Sequence, residues 1–127
     1  MKVLFLEDDE SRIAKARREF VGHVLVVATT AQEAIAALDV HRFDLASLDH
    51  DLGGTQMAES NENSGYAVAK YIAAMETPPF VIVHSFNPVG AQKMMLHLVE
   101  MAPCARALWD TPEYWRIVEQ VKVEVAA

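Results

Sequence analysis

Short apolar runs alternate along the chain with longer segments in which apolar residues recur at helical spacing. Runs of four to six residues rich in Val, Ile, Leu and Phe are typical of buried strands, and spacings of three and four residues are typical of amphipathic helices. The apolar runs, which predict strands, are 2–6, 23–27, 43–48, 80–85 and a weaker 105–109. The segments that predict helices are 11–20, 30–39, 64–75, 88 to about 101, and one that opens at 112.

Capping signals mark three of the helix starts. Thr30 and Glu33 have the spacing of a capping box, in which each side chain bonds a backbone amide of the first turn. Asn87-Pro88 and Thr111-Pro112 each place a capping residue before a proline at the first helical position.

Strict alternation of strand and helix predicts an α/β fold. Near-continuous apolar strands indicate a parallel sheet that is covered by helices on both faces. We expect a three-layer (βα)5 doubly wound sheet of flavodoxin type, with strand order 2-1-3-4-5. The 127 residues suit a single domain, 1–127.

Composition and charge narrow the classes of function. The chain carries 18 acidic and 11 basic residues, a net charge of −7, which disfavours a general nucleic-acid-binding surface. We find no apolar run long enough to span a membrane, and the single cysteine cannot form an internal disulfide, so we expect a cytoplasmic protein.

Polar side chains collect where three of the predicted strands end. In a doubly wound sheet, ligands bind at the carboxyl ends of the strands, near the point where the strand order reverses. Several carboxylates in one pocket repel unless a cation holds them, and hard oxygen ligands suit Mg²⁺ or Mn²⁺. The residues concerned are Glu7, Asp8 and Asp9 after strand one, Asp49, His50 and Asp51 after strand three, and His84, Ser85 and Asn87 after strand four.

Several of these residues also have a purely structural interpretation. Asp9 and Asn87 are good helix caps. Adjacent residues of a strand point to opposite faces, so if Ser85 faces the site, His84 packs under a helix. His50 is alternatively a solvated loop residue. Trp109 is expected to pack, with stacking on a base at the site rim as the alternative.

The chain resembles the receiver domains of two-component response regulators. The segment VLFLEDDESR resembles the receiver opening, and FDLASLDHDLGG resembles the third receiver strand with its phosphoacceptor, which falls on Asp49. The resemblance implies that Glu7 and Asp8 are the acidic pair that binds Mg²⁺, and that the backbone carbonyl of Asp51 is a further ligand. It places Ser85 where receivers contact the phosphoryl group.

Two departures separate the chain from an ordinary receiver. Receivers carry a Lys before the proline that follows strand five, and Thr111 stands there instead. The connection between Asp49 and the SGY helix start is about eight residues longer than is usual in a receiver.

The D-H-D triplet at 49–51, the SGYAVAKYI segment and the H-S-x-N-P-x-G segment at 84–90 resemble the cyclic-phosphate-processing receiver domains. This resemblance implies a metal-dependent phosphoesterase that acts on a cyclic phosphate, as a nucleotide or an RNA end. His50 and His84 are then the candidate general base and acid, acting with the metal on Asp49, while Ser85 and Asn87 hold phosphate oxygens.

Two other functions stay open from the sequence. One is a stand-alone receiver phosphorylated on Asp49 by a histidine kinase, against which the missing Lys counts. The other is a non-catalytic pseudo-receiver that binds a partner, against which the intact carboxylates count. The partner hypotheses are therefore a small phosphate-containing ligand, a histidine kinase, a toxin or defence-system protein, and a second copy of the chain.

Overall fold

Strands and helices alternate throughout the part of the chain that the computed structural model describes, residues 1–54 and 59–127. The strands are β1 (Lys2–Leu6), β2 (Val24–Ala28), β3 (Leu45–Leu48), β4 (Phe80–Val83) and β5 (Cys104–Arg106). The helices are α1 (Glu10–Glu19), α2 (Ala31–Val40), α3 (Gly65–Ala73), α4 (Pro88–Leu98) and α5 (Pro112–Ala126).

The strands form one parallel sheet in the order β2-β1-β3-β4-β5, which confirms the predicted fold. Leu6 pairs with Leu48, and Leu48 pairs with Val83, so β1, β3 and β4 end at the same level. The pairing continues for one more bond, since the Asp49 amide donates to the Leu6 carbonyl and the His84 amide donates to the Leu48 carbonyl. The register thus brings the first residues after these three strands side by side.

Alternate strand residues enter two separate cores, one on each face of the sheet. Leu4, Leu6 and Leu48 pack against α2, α3 and α4, whereas Val3 and Phe5 pack against α1 and α5. Burial of each large side chain stabilises the fold by about 2 kcal/mol before the conformational entropy of folding is counted. The double-sided burial explains why the strands are almost continuously apolar.

The predicted element bounds differ from the observed ones by a few residues. The largest difference is in β5, predicted over 105–109 and observed at Cys104–Arg106. Its partner β4 ends at Val83, which pairs with Arg106, and the Ala107 amide adds a last bond to the Val83 carbonyl at 3.1 Å. Trp109 lies beyond the strand, is 8% exposed, and packs on the rings of Phe5 and Tyr114.

The predicted caps are present. The Thr30 hydroxyl accepts from the Glu33 amide at 3.1 Å, and the Glu33 carboxylate reaches back to the Thr29 amide at 3.1 Å. Thr111 accepts from the Tyr114 amide at 3.2 Å and caps α5. Caps of this kind stabilise a helix by about 1 kcal/mol each.

The long connection predicted between strand three and the third helix spans 53–63, and residues 55–58 of it lie outside the described residues. On its near side, the Gly54 amide donates to Asp8 Oδ2 at 2.8 Å, which brings the start of this connection to the end of β1. Of the helices in the described part of the chain, none has the length and apolar content needed to cross a membrane.

Candidate metal and phosphate pocket

Three carboxylates meet at the carboxyl ends of β1 and β3, which lie at the same level of the sheet. Glu7, Asp8 and Asp49 each offer an oxygen, and the three oxygens lie within 4.8 Å of one another. Glu7 is fully buried and Asp49 is 4% exposed, whereas Asp8 is half-buried. These side chains line an open pocket of about 560 Å³ at the carboxyl edge of the sheet, which lies within the size range of small-molecule sites.

The close packing of these buried carboxylates shifts the pKa values of Glu7 and Asp49. Burial, together with the neighbouring charge of Glu7, raises the pKa of Asp49 to about 8. Burial also opposes ionisation of Glu7, but the hydrogen bond and charge of His84 and the charge of Arg12 outweigh it and lower the Glu7 pKa. Without a further cation, the two carboxylates therefore titrate as a pair that resists full ionisation.

The donor set fits a small hard cation. Glu7, Asp8 and Asp49 supply oxygen ligands on adjacent strand ends, and the open side of the pocket leaves room for water and a phosphate oxygen. A divalent cation would also remove the repulsion that raises the Asp49 pKa. Asp51 lines the same pocket.

A cation from α1, Arg12, lines the pocket beside its carboxylates. Nη1 of Arg12 lies 3.4 Å from Glu7 Oε1 and 4.0 Å from Asp49 Oδ2. The guanidinium carbon lies 4.8 Å from the centroid of the Phe86 ring, so the aromatic face supports it. Thr111, at the position of the receiver Lys, caps α5 instead.

His84 lies behind the pocket wall. Its ring is fully buried, stacks on Phe5 at a centroid distance of 5.1 Å and lies on the face of the sheet that α5 covers. Its Nε2 nevertheless reaches Oε1 of Glu7 at 3.2 Å. The sequence placed His84 either at the site or under a helix, and the structure places it under the helix with a bond to a pocket carboxylate.

A buried chain of hydrogen bonds extends from this histidine to α5. The Ser47 oxygen lies 2.7 Å from His84 Nδ1 and 2.7 Å from the Tyr114 hydroxyl. Burial lowers the pKa of His84 although Glu7 opposes it, and burial raises the pKa of Tyr114. A neutral ring donates from Nε2–H to Glu7 and accepts at Nδ1 from the Ser47 hydroxyl, which accepts in turn from Tyr114.

His50 forms a second acid–histidine pair. The ring is fully buried, its Nδ1 lies 2.7 Å from Asp51 Oδ1, and its Nε2 lies 2.9 Å from the Ser60 hydroxyl. The Asn87 amide group donates to the same Asp51 oxygen at 3.0 Å. Because the Asp51 carboxylate only accepts, His50 donates to it from Nδ1–H, and Nε2 is left to bond Ser60. The solvated-loop interpretation of His50 is therefore wrong.

Gly90 fits against the ring of His50. A Cβ on Gly90 would overlap the imidazole, so glycine is required where α4 passes over this ring. The same close approach recurs at Gly65, whose amide donates to the His50 carbonyl at 2.9 Å and whose added Cβ would overlap the Asp49 carbonyl. The D-H-D triplet is thus held between the starts of α3 and α4.

Asp9, Asn87 and Ser85 have clear local contacts. Asp9 caps α1, accepting from the Arg12 amide at 3.0 Å and from the Ser11 hydroxyl at 2.6 Å. Asn87 caps α4, accepting from the Gly90 amide at 3.0 Å, and its amide group faces Asp51. The Ser85 hydroxyl accepts from the Asn87 amide at 3.0 Å and is 1% exposed. Asp9 therefore both caps α1 and lines the pocket.

Sequence reasoning missed Arg12, Phe86, Ser47 and Tyr114. Arg12 was open to prediction, because it stands in the first turn of the helix that follows the acidic strand end. Ser47 and Tyr114 carried no such signal, since 67 positions separate them along the chain and only the packing of α5 on β3 joins them.

The fold is shared with many solved receiver domains. A response regulator receiver domain from Methylobacillus flagellatus superposes with a TM-score of 0.70 at 16% identity, covering 95% of this chain and 98% of that one. The receiver domain of a Francisella response regulator gives 0.67 at 16% identity and 98% coverage of both chains. The response regulator TrrA of Thermotoga maritima, solved with Mg²⁺ and BeF, gives 0.67 at 20% identity, covering 95% and 99%.

The family assignment is more specific than the shared fold. A comparison with curated proteins gave no match. The profile described as cyclic-phosphate processing receiver domain matches residues 2–100, which include the pocket carboxylates, the D-H-D triplet and the H-S-x-N-P-x-G segment. The chain therefore belongs to the cyclic-phosphate processing receiver domain family.

Proposed function

We propose that the pocket binds Mg²⁺ or Mn²⁺ through Glu7, Asp8 and Asp49 and hydrolyses or otherwise processes a cyclic phosphate, such as that of a nucleotide or an RNA end. The observation that carries the proposal is the joining of two sequence motifs of the family at one pocket. Asp51 of the D-H-D triplet and Asn87 of the H-S-x-N-P-x-G segment are hydrogen-bonded at 3.0 Å beside the carboxylate cluster.

When bound, the cation supplies positive charge to the phosphate and lowers the pKa of a water at the site. Ester hydrolysis also needs a proton to be taken up and another to be returned. Two pocket carboxylates are each backed by a buried imidazole, Asp51 by His50 and Glu7 by His84. In this proposal the carboxylates face the ligand, and the histidines orient them and share their protons.

Phosphate oxygens require donors at the other wall of the pocket. Ser85 and Asn87 stand at the end of β4 and the start of α4, where the first amides of that helix favour a negative charge. We assign them to phosphate binding as part of the same proposal. Both are nearly buried, and Phe86 between them lines the pocket.

The test is a screen of 2′,3′-cyclic and 3′,5′-cyclic nucleotides with Mg²⁺ or Mn²⁺, read by chromatography of the products. We expect turnover that Asp49→Asn abolishes and that His50→Ala and His84→Ala each reduce at least about tenfold. Glu124→Gln, an exposed change on α5, is the matched control and keeps full turnover. Absence of turnover on every substrate with both metals would reject the hydrolytic function.

A second function is favoured by Arg12. Ordinary receivers need a cation beside the phosphoacceptor, and Nη1 of Arg12 lies 4.0 Å from Asp49 Oδ2. A stand-alone receiver phosphorylated on Asp49 by a histidine kinase is therefore the alternative. Incubation with acetyl phosphate and Mg²⁺ distinguishes the two: a stoichiometric mass increase of one phosphoryl group, absent in Asp49→Asn, favours the alternative over cyclic-phosphate processing.

A further inference from the structure

We propose that Arg12 is the phosphate-binding cation of the pocket, and that metal binding transfers its guanidinium from the carboxylates to the anion. This inference rests on the metal and phosphate pocket of the proposed function. It assigns a ligand-binding role to a residue of α1 to which the sequence analysis gave none.

The first step is charge. Among the described residues that line the pocket, one side chain is cationic, Arg12, and six are acidic: Glu7, Asp8, Asp9, Glu10, Asp49 and Asp51. The carboxylates of such a pocket repel a phosphate dianion, and each cation placed beside them reduces that repulsion. A divalent ion cancels part of that charge, and Arg12 is the remaining cation within reach.

The second step is competition for the same oxygens. Arg12 contacts Glu7 Oε1 at 3.4 Å and approaches Asp49 Oδ2 at 4.0 Å, and both residues belong to the carboxylate cluster suited to a cation. These separations are longer than the roughly 2.8 Å of a strong charge-assisted hydrogen bond, so Arg12 is held there loosely. A divalent ion on the same carboxylates repels the guanidinium and weakens both contacts.

The third step is a position from which Arg12 reaches an anion. Its side chain is 31% exposed, and its guanidinium carbon lies 4.8 Å from the centroid of Phe86, a residue that also lines the pocket. The aromatic face supports the planar group without using its N–H donors. A guanidinium released from the carboxylates therefore presents paired donors to phosphate oxygens while it stays on the ring.

These steps predict opposite effects of one substitution on two ligands. Arg12→Ala removes a competing cation, so it tightens Mn²⁺ binding in the absence of phosphate, by about fivefold on a Coulomb estimate for a partly solvated site. The same change removes the anion's partner, so it weakens inorganic phosphate binding in the presence of Mg²⁺ by about tenfold or more.

The experiment uses the full chain and two binding measurements. Mn²⁺ affinity is read from the electron paramagnetic resonance signal of the free ion, and inorganic phosphate affinity from amide chemical-shift titrations with and without Mg²⁺. In the wild type we expect Mg²⁺ to raise phosphate affinity, and in Arg12→Ala we expect most of that gain to be lost. Arg12→Lys keeps the charge and retains part of the gain.

The matched control is Arg17→Ala, which removes an exposed arginine from the last turn of the same helix. It leaves both affinities unchanged, and its thermal unfolding reports any general effect of shortening an arginine on α1. Phe86→Ala, which removes the support for the guanidinium, weakens phosphate binding by about threefold.

The inference is overturned if Arg12→Ala binds phosphate as the wild type does, or if it binds Mn²⁺ more weakly. Neither measurement reads turnover, so the inference and the proposed function fail separately. Arg12-dependent phosphate binding without turnover of any cyclic nucleotide rejects the hydrolysis alone. If the wild type turns over a cyclic nucleotide and Arg12→Ala binds phosphate as tightly as the wild type, only the assignment of Arg12 is rejected.

Discussion

Nε2 of His84 lies 3.2 Å from Oε1 of Glu7, and solvent reaches neither side chain. A buried carboxylate needs partners for its oxygens, and the imidazole supplies one from behind while the pocket faces the other side. The ring in turn is held by Ser47, so the orientation of this pocket acid depends on the core beneath α5.

His84→Ala tests this dependence. The change removes one hydrogen-bond partner each from buried Glu7 and Ser47, together with a ring that stacks on Phe5, so we expect a loss of about 3 kcal/mol of unfolding free energy. Urea denaturation measures it. The control is His97→Ala on the exposed face of α4, with a loss below about 1 kcal/mol. Equal losses in the two variants would contradict the assigned role of the pair.

Tyr114→Phe removes one hydroxyl from the far end of the same chain. The Ser47 oxygen loses its donor in a site that water does not reach, and we expect a loss of about 1–2 kcal/mol in unfolding free energy. Tyr71→Phe, on the half-buried side of α3, is the matched control for removal of a tyrosine hydroxyl. An unchanged stability in Tyr114→Phe would show that the Ser47 hydroxyl finds another donor.

Asp49 makes the stability of the metal-free protein depend on pH. Its pKa is raised to about 8 by burial and by Glu7, against an ordinary value of 3.8, so the folded state holds a proton that the unfolded state releases. The stabilisation is complete below about pH 4 and is lost as the pH rises through about 8. Asp49→Asn removes this dependence and raises Tm at pH 8 by roughly 5 °C.

Calorimetric thermal scans of metal-free protein between pH 5 and pH 8.5 measure the effect. Saturating Mg²⁺ should remove most of the difference between wild type and Asp49→Asn, because the ion stabilises the charged carboxylate. If the Tm of the wild type and the Tm of Asp49→Asn change with pH in the same way over this range, a raised pKa at Asp49 is excluded.

Asp8 and Asp9 are neighbours with different expected roles. Asp9→Ala removes the cap of α1 and costs about 1 kcal/mol of stability, with Mn²⁺ affinity changed less than about twofold. The Ser11 hydroxyl and the Arg12 amide lower the Asp9 pKa, so this contribution is present above about pH 4 and is lost as the pH falls through the lowered value.

Asp8→Ala has the opposite profile. Asp8 is half-buried and accepts from the Gly54 amide at 2.8 Å, so its removal costs little stability, but it deprives the cluster of a carboxylate. We expect Mn²⁺ affinity to fall at least about tenfold. Comparable metal affinities in the two variants would show that Asp8 is not a ligand.

Gly90→Ala tests the packing of α4 on His50. The added methyl group overlaps the imidazole ring, so we expect a loss of about 1–3 kcal/mol from overpacking. In a His50→Ala background the obstacle is gone, and the same change should cost little or even stabilise the helix. Urea denaturation of the four proteins in this double-mutant cycle measures the coupling, and additive costs would contradict it.

The sequence by itself determined the sheet, its strand order and the edge at which polar groups collect. Those features follow from periodicity and from a fold in which strand ends meet at one edge, both of which are local or topological properties. Asp8 and Asp49 could be placed together because strand ends meet at one edge. The caps Thr30, Asn87 and Thr111 could be predicted because capping depends on residues adjacent in the sequence.

Only the tertiary structure decided which way the functional side chains point and what they contact. His84 follows the strand alternation under α5 and still reaches Glu7, because the register sets the ends of β1, β3 and β4 level. His50 turns inward because Gly90 leaves space for its ring. The sequence places Arg12 near the acidic strand end, but its distances to Glu7 and Asp49 depend on how the side chain packs in the folded protein.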